Sequence, residues 1–209
     1  MSRRLRPLTS AGLGGIDQTC ATCVFWESAE PLEVRCGAAC DAGLQRSWFS
    51  EVHSEWGECG RVAHEDDEML GFVKYAPTRY FAQARYLPSG VPDPDAPLIA
   101  CLHVMRETRR RGLDRLLLQA ALRDLHVRGE RTVFAYGYVP GGDRFDTPMP
   151  DLEFLLHQGF VVERAHPVYP LLRLDLRGLA SWTENLESAL ESLLLPLGRP
   201  QRLPTPSIE

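Results

Sequence analysis

The sequence predicts an α/β fold of the α+β kind: a mixed central sheet flanked by helices, with an additional helix near the C-terminus. Three observations carry this. Residues 98–138 run from an apolar strand through a basic, Gly-containing turn into an amphipathic helix and then a second apolar strand, and strand–helix–strand implies a right-handed parallel crossover. Residues 61–75 form two apolar runs joined by Glu65-Asp66-Asp67-Glu68, the pattern of an antiparallel hairpin. Near the end, Leu172, Leu174 and Leu176 alternate with Arg173 and Asp175, the period of a strand with one wet face.

In chain order, the first forty residues carry no clear period, and residues 19–26 read equally as a short helix or strand. From 43 to 56 the pattern is helical: Leu44, Trp48, Phe49, Val52 and Trp56 fall three or four apart, and Gly57 and Gly60 stop the run. Strands follow at 61–64 and 69–75. Residues 76–97 hold five prolines together with Tyr80, Phe81 and Tyr86, which predicts an ordered loop on the substrate side. The near-continuous apolar run at 98–105 is expected at the centre of the sheet. In the helix at 112–128, Leu113, Leu116, Leu117, Ala120, Ala121 and Leu125 mark a buried face, and Arg115, Gln119, Arg123 and His126 a wet one. A strand at 131–138, a Gly/Pro/Asp loop at 139–150 and a short helix at 151–158 come next. Asp151 is the expected N-cap of that helix and Gly159 its C-terminal stop. An antiparallel pair is expected at 160–163 and 168–176. A last helix, 179–195, carries Trp182, Leu186, Leu190 and Leu193 on one stripe, before a Pro-rich tail. Three regions result: 1–42, an N-terminal Cys-containing segment packing on the domain; 43–177, the main domain; and 178–209, the C-terminal helix and tail.

Composition narrows the function. Apolar content of 44% and charged content of 24% are those of a globular protein, and a net charge of -5 argues against nucleic acid as partner. The positive charge is local, with Arg106, Arg109, Arg110, Arg111 and Arg115 at one turn, which suits a small anionic ligand. The opening M-S-R-R-L-R-P-L-T lacks an apolar h-region, and no run reaches the ~18 apolar residues of a membrane span. The expected location is cytoplasmic, with no membrane partner and with reduced thiols.

A strand, a turn and a helix N-terminus form a natural anion site, because several N–H groups converge where the helix dipole is positive. The turn reads Arg109, Arg110, Arg111, Gly112, Leu113, Asp114. It resembles the [QR]-x-x-G-x-[GA] acyl-CoA motif of the GNAT superfamily of N-acetyltransferases in its first four positions and departs from it at Asp114. The order of elements from residue 44 to 176 is similar to the GNAT order. The stretch T-C-A-T-C-V-F-W-E, together with W-G-E-C-G-R-V-A and A-H-P-V-Y-P, resembles an actinobacterial GNAT subgroup that begins C-x-x-C-[VL]-[FY]-W-E.

The resemblance implies acetyl-CoA as co-substrate. It would be held by the backbone of Leu102 and Val104 along the pantetheine arm, and by Arg109, Arg110, Arg111, Gly112, Leu113, Asp114 and Arg115 around the phosphates. It implies direct attack on the thioester by a primary amine, carried by a small molecule or peptide. Many GNAT enzymes place a Tyr in a Y-x-x-x-G-F pattern; here the segment is L-L-H-Q-G-F, with Leu155 at the Tyr position. The candidate catalytic residues are therefore His103, a base suited to neutral pH, and Tyr138, with Tyr136, Tyr169 and Glu107 behind them. A lone His among apolar residues is more often a core histidine, and each tyrosine more often a packing or rim residue. Asp114 and Leu155 also support a second reading, a non-catalytic GNAT-fold binding or regulatory protein.

Cys20, Cys23, Cys36 and Cys40 give C-x2-C-x12-C-x3-C. That spacing is close to structural zinc spacing. It is also compatible with a Cys20–Cys23 disulfide or with unrelated buried thiols, and the expectation is no metal. The apolar stripe of the last helix would suit a homodimer interface.

Overall fold

The computed structural model describes residues 3–15, 18–66, 68–105, 112–139 and 147–177. The expected helix at 179–195, its dimer stripe, the tail, Glu107 and the three arginines Arg109, Arg110 and Arg111 lie outside the described residues.

The described elements are β1 (Arg3–Pro7), α1 (Gln18–Ala21), α2 (Ala42–Glu55), β2 (Gly60–Glu65), β3 (Glu68–Pro77), β4 (Pro97–Val104), α3 (Leu113–Val127), β5 (Thr132–Tyr136), α4 (Leu152–His157), β6 (Val161–Arg164) and β7 (Leu171–Asp175). The strands form one sheet in the order β1-β2-β3-β4-β5-β7-β6. β4 and β5 run parallel, as the crossover through α3 requires, and the other neighbours are antiparallel. This is the mixed sheet with flanking helices that the sequence predicts.

β1 has no apolar alternation because it is an edge strand: Arg3 to Pro7 pair with Glu65 to Arg61 of β2, and alternate side chains need no core. α2 starts where Asp41 Oδ1 accepts the N–H groups of Gly43 (2.8 Å) and Leu44 (3.0 Å), an N-cap that satisfies two donors the helix cannot. It buries Trp48, Phe49 and Val52, whereas Leu44 in its first turn is exposed. Asp151 caps α4 through Phe154 N–H at 3.0 Å, and Gly159 follows at φ 89.

Two cores result, one on each face of the sheet. On the first, Phe25, Trp26, Trp48, Phe49, Phe72, Phe81 and Tyr136 pack together. On the second, Leu113, Leu116, Leu117, Ala121 and Leu125 of α3 pack on Val73, Ile99 and Val133, joined by Leu155 and Phe160. Gln119, expected on the wet side of α3, is buried together with Leu118 and Leu122. The apolar period marks one stripe and does not limit how far other structure covers the helix.

The segment after β3 is ordered, as expected, and its aromatics supply the reason. It forms two short 3-10 turns, Thr78–Tyr80 and Ala82–Tyr86, and buries Tyr80, Phe81, Ala84 and Leu87 in the first core. Trp48 Nε1 donates to Tyr80 O at 2.7 Å. Its aromatics hold it down as part of the packing.

α3 is fixed to the sheet by polar contacts as well as by its apolar face. Asp124 accepts Arg61 Nε (2.5 Å) and Nη2 (3.0 Å) and the Tyr75 hydroxyl (2.6 Å). Arg128 stacks on Trp56 with its guanidinium 4.1 Å from the ring centroid. Replacing Asp124 would leave the Tyr75 phenol without its acceptor and the Arg61 guanidinium with Glu58 alone, at 2.8 Å. Asp124→Ala is expected to lower unfolding stability by about 2–4 kcal/mol, read as a shifted urea midpoint; a loss under about 0.5 kcal/mol, the range of ordinary surface changes, would show that the clamp contributes nothing.

Candidate functional site

β4 and β5 pair only at Leu98 with Phe134 and Ile99 with Ala135. On its other side β4 stays paired with β3 as far as Val104, and the register skips Ala100 between Tyr75–Ile99 and Lys74–Cys101. That bulge bends the strand at the point where it leaves β5. The result is a cleft of about 660 Å³ including its open mouth, between Leu102, His103 and Val104 on one wall and Tyr138, Met149, Pro150 and Phe154 on the other.

α3 begins at the edge of this cleft. Gly112 stands at φ 67, ψ 22 as the residue before the helix, and a Cβ there would meet nothing within 4 Å. Glycine is therefore required by the left-handed backbone and not by crowding. Leu116 N–H donates to Gly112 O at 3.1 Å, closing the first turn. Leu113 is a core residue with no exposure. Asp114 lines the cleft, and its Oδ1 accepts Arg115 N–H at 2.8 Å. The carboxylate that departs from the motif thus occupies one of the helix's own N-terminal donors. The structure brings Leu102, His103, Val104, Asp114 and Tyr138 to one cleft, with Gly112, Leu113 and Arg115 in the turn beside it.

Of the two catalytic candidates, Tyr138 is the phenol among the cleft-lining residues. It is held by backbone bonds from its N–H to Pro150 O and from Leu152 N–H to its own carbonyl, both 2.9 Å. Its ring stacks on Tyr169 with centroids 6.1 Å apart. Tyr169 in turn lies parallel to His166 at 6.2 Å, and burial, then Tyr138, raises its phenol above the ordinary value. Tyr136 is a packing residue: it is fully buried, donates to Gly90 O at 2.8 Å and stacks on Trp26 at 5.9 Å. Leu155 points into the second core, so α4 offers the cleft only Phe154.

His103 borders the cleft and also a second cavity on the opposite face of β4. Cys101 lines that cavity with it, as strand alternation predicts. So do Cys20, Cys23, Cys36, Phe72 and Lys74. The His103 ring tilts over Phe72 at 5.9 Å, and its Nδ1 is 3.9 Å from Cys20 Sγ. None of the six cysteines is in a disulfide. Cys23 Sγ accepts Gly37 N–H at 3.3 Å, Cys40 Sγ lies 4.0 Å from Gly37 O, and the neighbouring Cys20, then burial, raises the Cys36 thiol above its ordinary value. The four N-terminal sulfurs are thus divided among separate contacts, and among the described residues no three His, Cys, Asp or Glu side chains converge as a metal site.

Sequence reasoning missed one group here. Lys74 Nζ donates to Glu27 Oε1 at 2.5 Å, with both side chains almost fully buried, and lies 5.3 Å from the centroid of Trp48. Burial alone would depress the ammonium; the Glu27 carboxylate outweighs it and holds Lys74 above its usual range. The signal was a single Lys inside the apolar run M-L-G-F-V-K-Y-A. Glu27→Ala, which strands that charge, is expected to destabilise the fold by about 3–5 kcal/mol, while the double variant Glu27→Leu with Lys74→Met should recover most of it. Equal losses in chemical denaturation would show that the pair does not act as a unit.

No family model matches this chain, and no curated protein matches it. Solved structures do. A protein from Desulfovibrio desulfuricans assigned to the GNAT family of acetyltransferases is 20% identical, with 84% of this chain and 99% of that one covered at a TM-score of 0.51. Ard1 from Thermoplasma volcanium is 14% identical over 84% and 98% at 0.53. The PaiA N-acetyltransferase from Thermoplasma acidophilum, solved with coenzyme A, is 16% identical over 84% and 99% at 0.50. The likeness is one of fold: no helix among the described residues is long and apolar enough to cross a membrane, and the chain has the mixed-sheet architecture of the GNAT N-acetyltransferases.

Proposed function

We propose that the protein is an acetyl-CoA-dependent N-acetyltransferase acting on a primary amine of a small molecule or peptide. The observation that carries this reading is the parting of β4 from β5 after Ile99, immediately ahead of a helix N-terminus. Such a cleft accepts an extended thiol arm against strand backbone and puts its phosphates at the positive end of α3. The fold shared with a chain solved with coenzyme A supports the same ligand.

Leu102 and Val104 would hold the arm through their backbone. Gly112 to Arg115 would meet the phosphates, with the charges of Arg109, Arg110 and Arg111 adjacent in sequence. The amine nitrogen attacks the thioester carbonyl; the N–C bond forms, the C–S bond breaks, and the departing thiolate takes a proton. Tyr138, on the cleft wall, is the donor we assign. His103, on the opposite wall, is the base we assign for the amine proton. The cytoplasm is the compartment in which we expect it to act.

A second reading, a GNAT-fold protein that binds without turnover, is favoured by the Asp114 carboxylate on the Arg115 N–H and by Leu155 in the core.

Calorimetric titration with acetyl-CoA should give binding at micromolar ligand, and silence at high micromolar concentration would overturn the enzyme reading. Asp114→Gly removes the repulsion and frees the donor, so its affinity is expected to rise about two- to fivefold; unchanged affinity would mean that the phosphates lie elsewhere. In a thiol-release assay over an amine panel, Tyr138→Phe should lower kcat about a hundredfold with acetyl-CoA affinity retained. Release that is undiminished in this variant would exclude Tyr138 as the proton donor, and no release with any amine would favour the binding protein.

A further inference from the structure

The cavity behind β4 gathers thiols that acetyl transfer does not use. Cys20, Cys36 and Cys101 line it together with His103 and Lys74. We propose that Cys20 and Cys36 are a redox-active pair that closes to a disulfide when hydrogen peroxide reaches this cavity.

The geometry separates these two sulfurs from the other thiols. Cys20 and Cys36 line the cavity together, and Cys20 Sγ has His103 Nδ1 at 3.9 Å. The contact with Cys20, then burial, pushes the Cys36 thiol far above its ordinary value. Cys36 therefore suits the part of resolving thiol, and Cys20, the sulfur beside the imidazole, is the one we assign as nucleophile. The imidazole is placed to take the Cys20 proton. A thiolate so supported is the nucleophile that peroxide selects. The neighbours are less suited. Burial pushes Cys101 up to about 12 and likewise raises Cys23, which is already bonded to Gly37 N–H. Cys59 is buried in the first core.

The chemistry balances in two steps. The Cys20 thiolate attacks one peroxide oxygen; the O–O bond breaks, and the hydroxide released takes the proton held by His103. Cys20 becomes a sulfenic acid. The Cys36 sulfur then attacks Cys20 Sγ, an S–S bond forms, and the hydroxyl leaves with the Cys36 proton as water. Two thiols are oxidised and one peroxide is reduced to two waters. The bond would fix α1 and the Cys36 turn over the back of β4, against the histidine that also borders the acyl cleft. The pairing does not depend on acetyl transfer.

The test uses the full chain, reduced and then exposed to hydrogen peroxide, with peptide mapping under non-reducing conditions. A Cys20–Cys36 linked peptide that dithiothreitol reverses is expected. In Cys36→Ser a dimedone adduct should accumulate at Cys20, and His103→Ala should slow oxidation of the pair. Six free thiols after peroxide would overturn the proposal. So would a linkage of Cys20 to Cys23 or of Cys23 to Cys40, or a bound zinc equivalent that protects Cys20 and Cys36.

Discussion

Two residue pairs, Leu98 with Phe134 and Ile99 with Ala135, hold β4 to β5, and the candidate site exists because the pairing stops there. Parallel strands joined through a helix would normally continue side by side. Here the skipped Ala100 bends β4 while β3 keeps its other edge in register to Val104, so the strand keeps one ladder as it opens the other side. Gly71 makes that possible: a Cβ at this position would sit 2.5 Å from His103 O and 3.0 Å from Val104 Cα. Only glycine lets β3 approach so closely to the stretch of β4 that forms the cleft wall.

The same stretch faces two ways. Leu102 and Val104 pack with the α3 side, and Cys101 packs with the aromatic core on the opposite side. His103 borders both the open cleft and the thiol-lined cavity. The N-terminal segment closes that cavity, and it is anchored by the Lys74–Glu27 pair. A buried pair of this kind adds little net stability compared with an apolar replacement. Its effect is positional, because an ammonium buried in the core accepts only the one chain arrangement that brings Glu27 to it.

The fold was legible wherever one face of an element is buried and the other is wet. α2, α3 and α4 lie close to where period and capping residues put them, since that contrast writes a period into the sequence, whereas β3 and β4, covered on both faces, show instead as continuous apolar runs. β1 has no such contrast, being an edge strand rich in arginine, and only its pairing with β2 reveals it. The stretch 76–97 reads as an ordered loop and is one; that its turns bury Tyr80, Phe81 and Leu87 in the core is not written as a period, because burial of irregular chain leaves none. Gln119 was assigned to water by its chemistry and is covered instead.

The sequence by itself determined the strand–turn–helix unit, the glycine at its turn and the two departures, Asp114 and Leu155, because these depend on residues adjacent in the chain. Tertiary structure decided what those residues do. It directed Leu155 into the core and chose Tyr138 over Tyr136 as the cleft phenol. It also placed Cys20 and Cys36 beside His103, across more than sixty residues of intervening chain. Such neighbours come together through strand pairing and core packing, which act on distance in space, and no local pattern of residues records that distance.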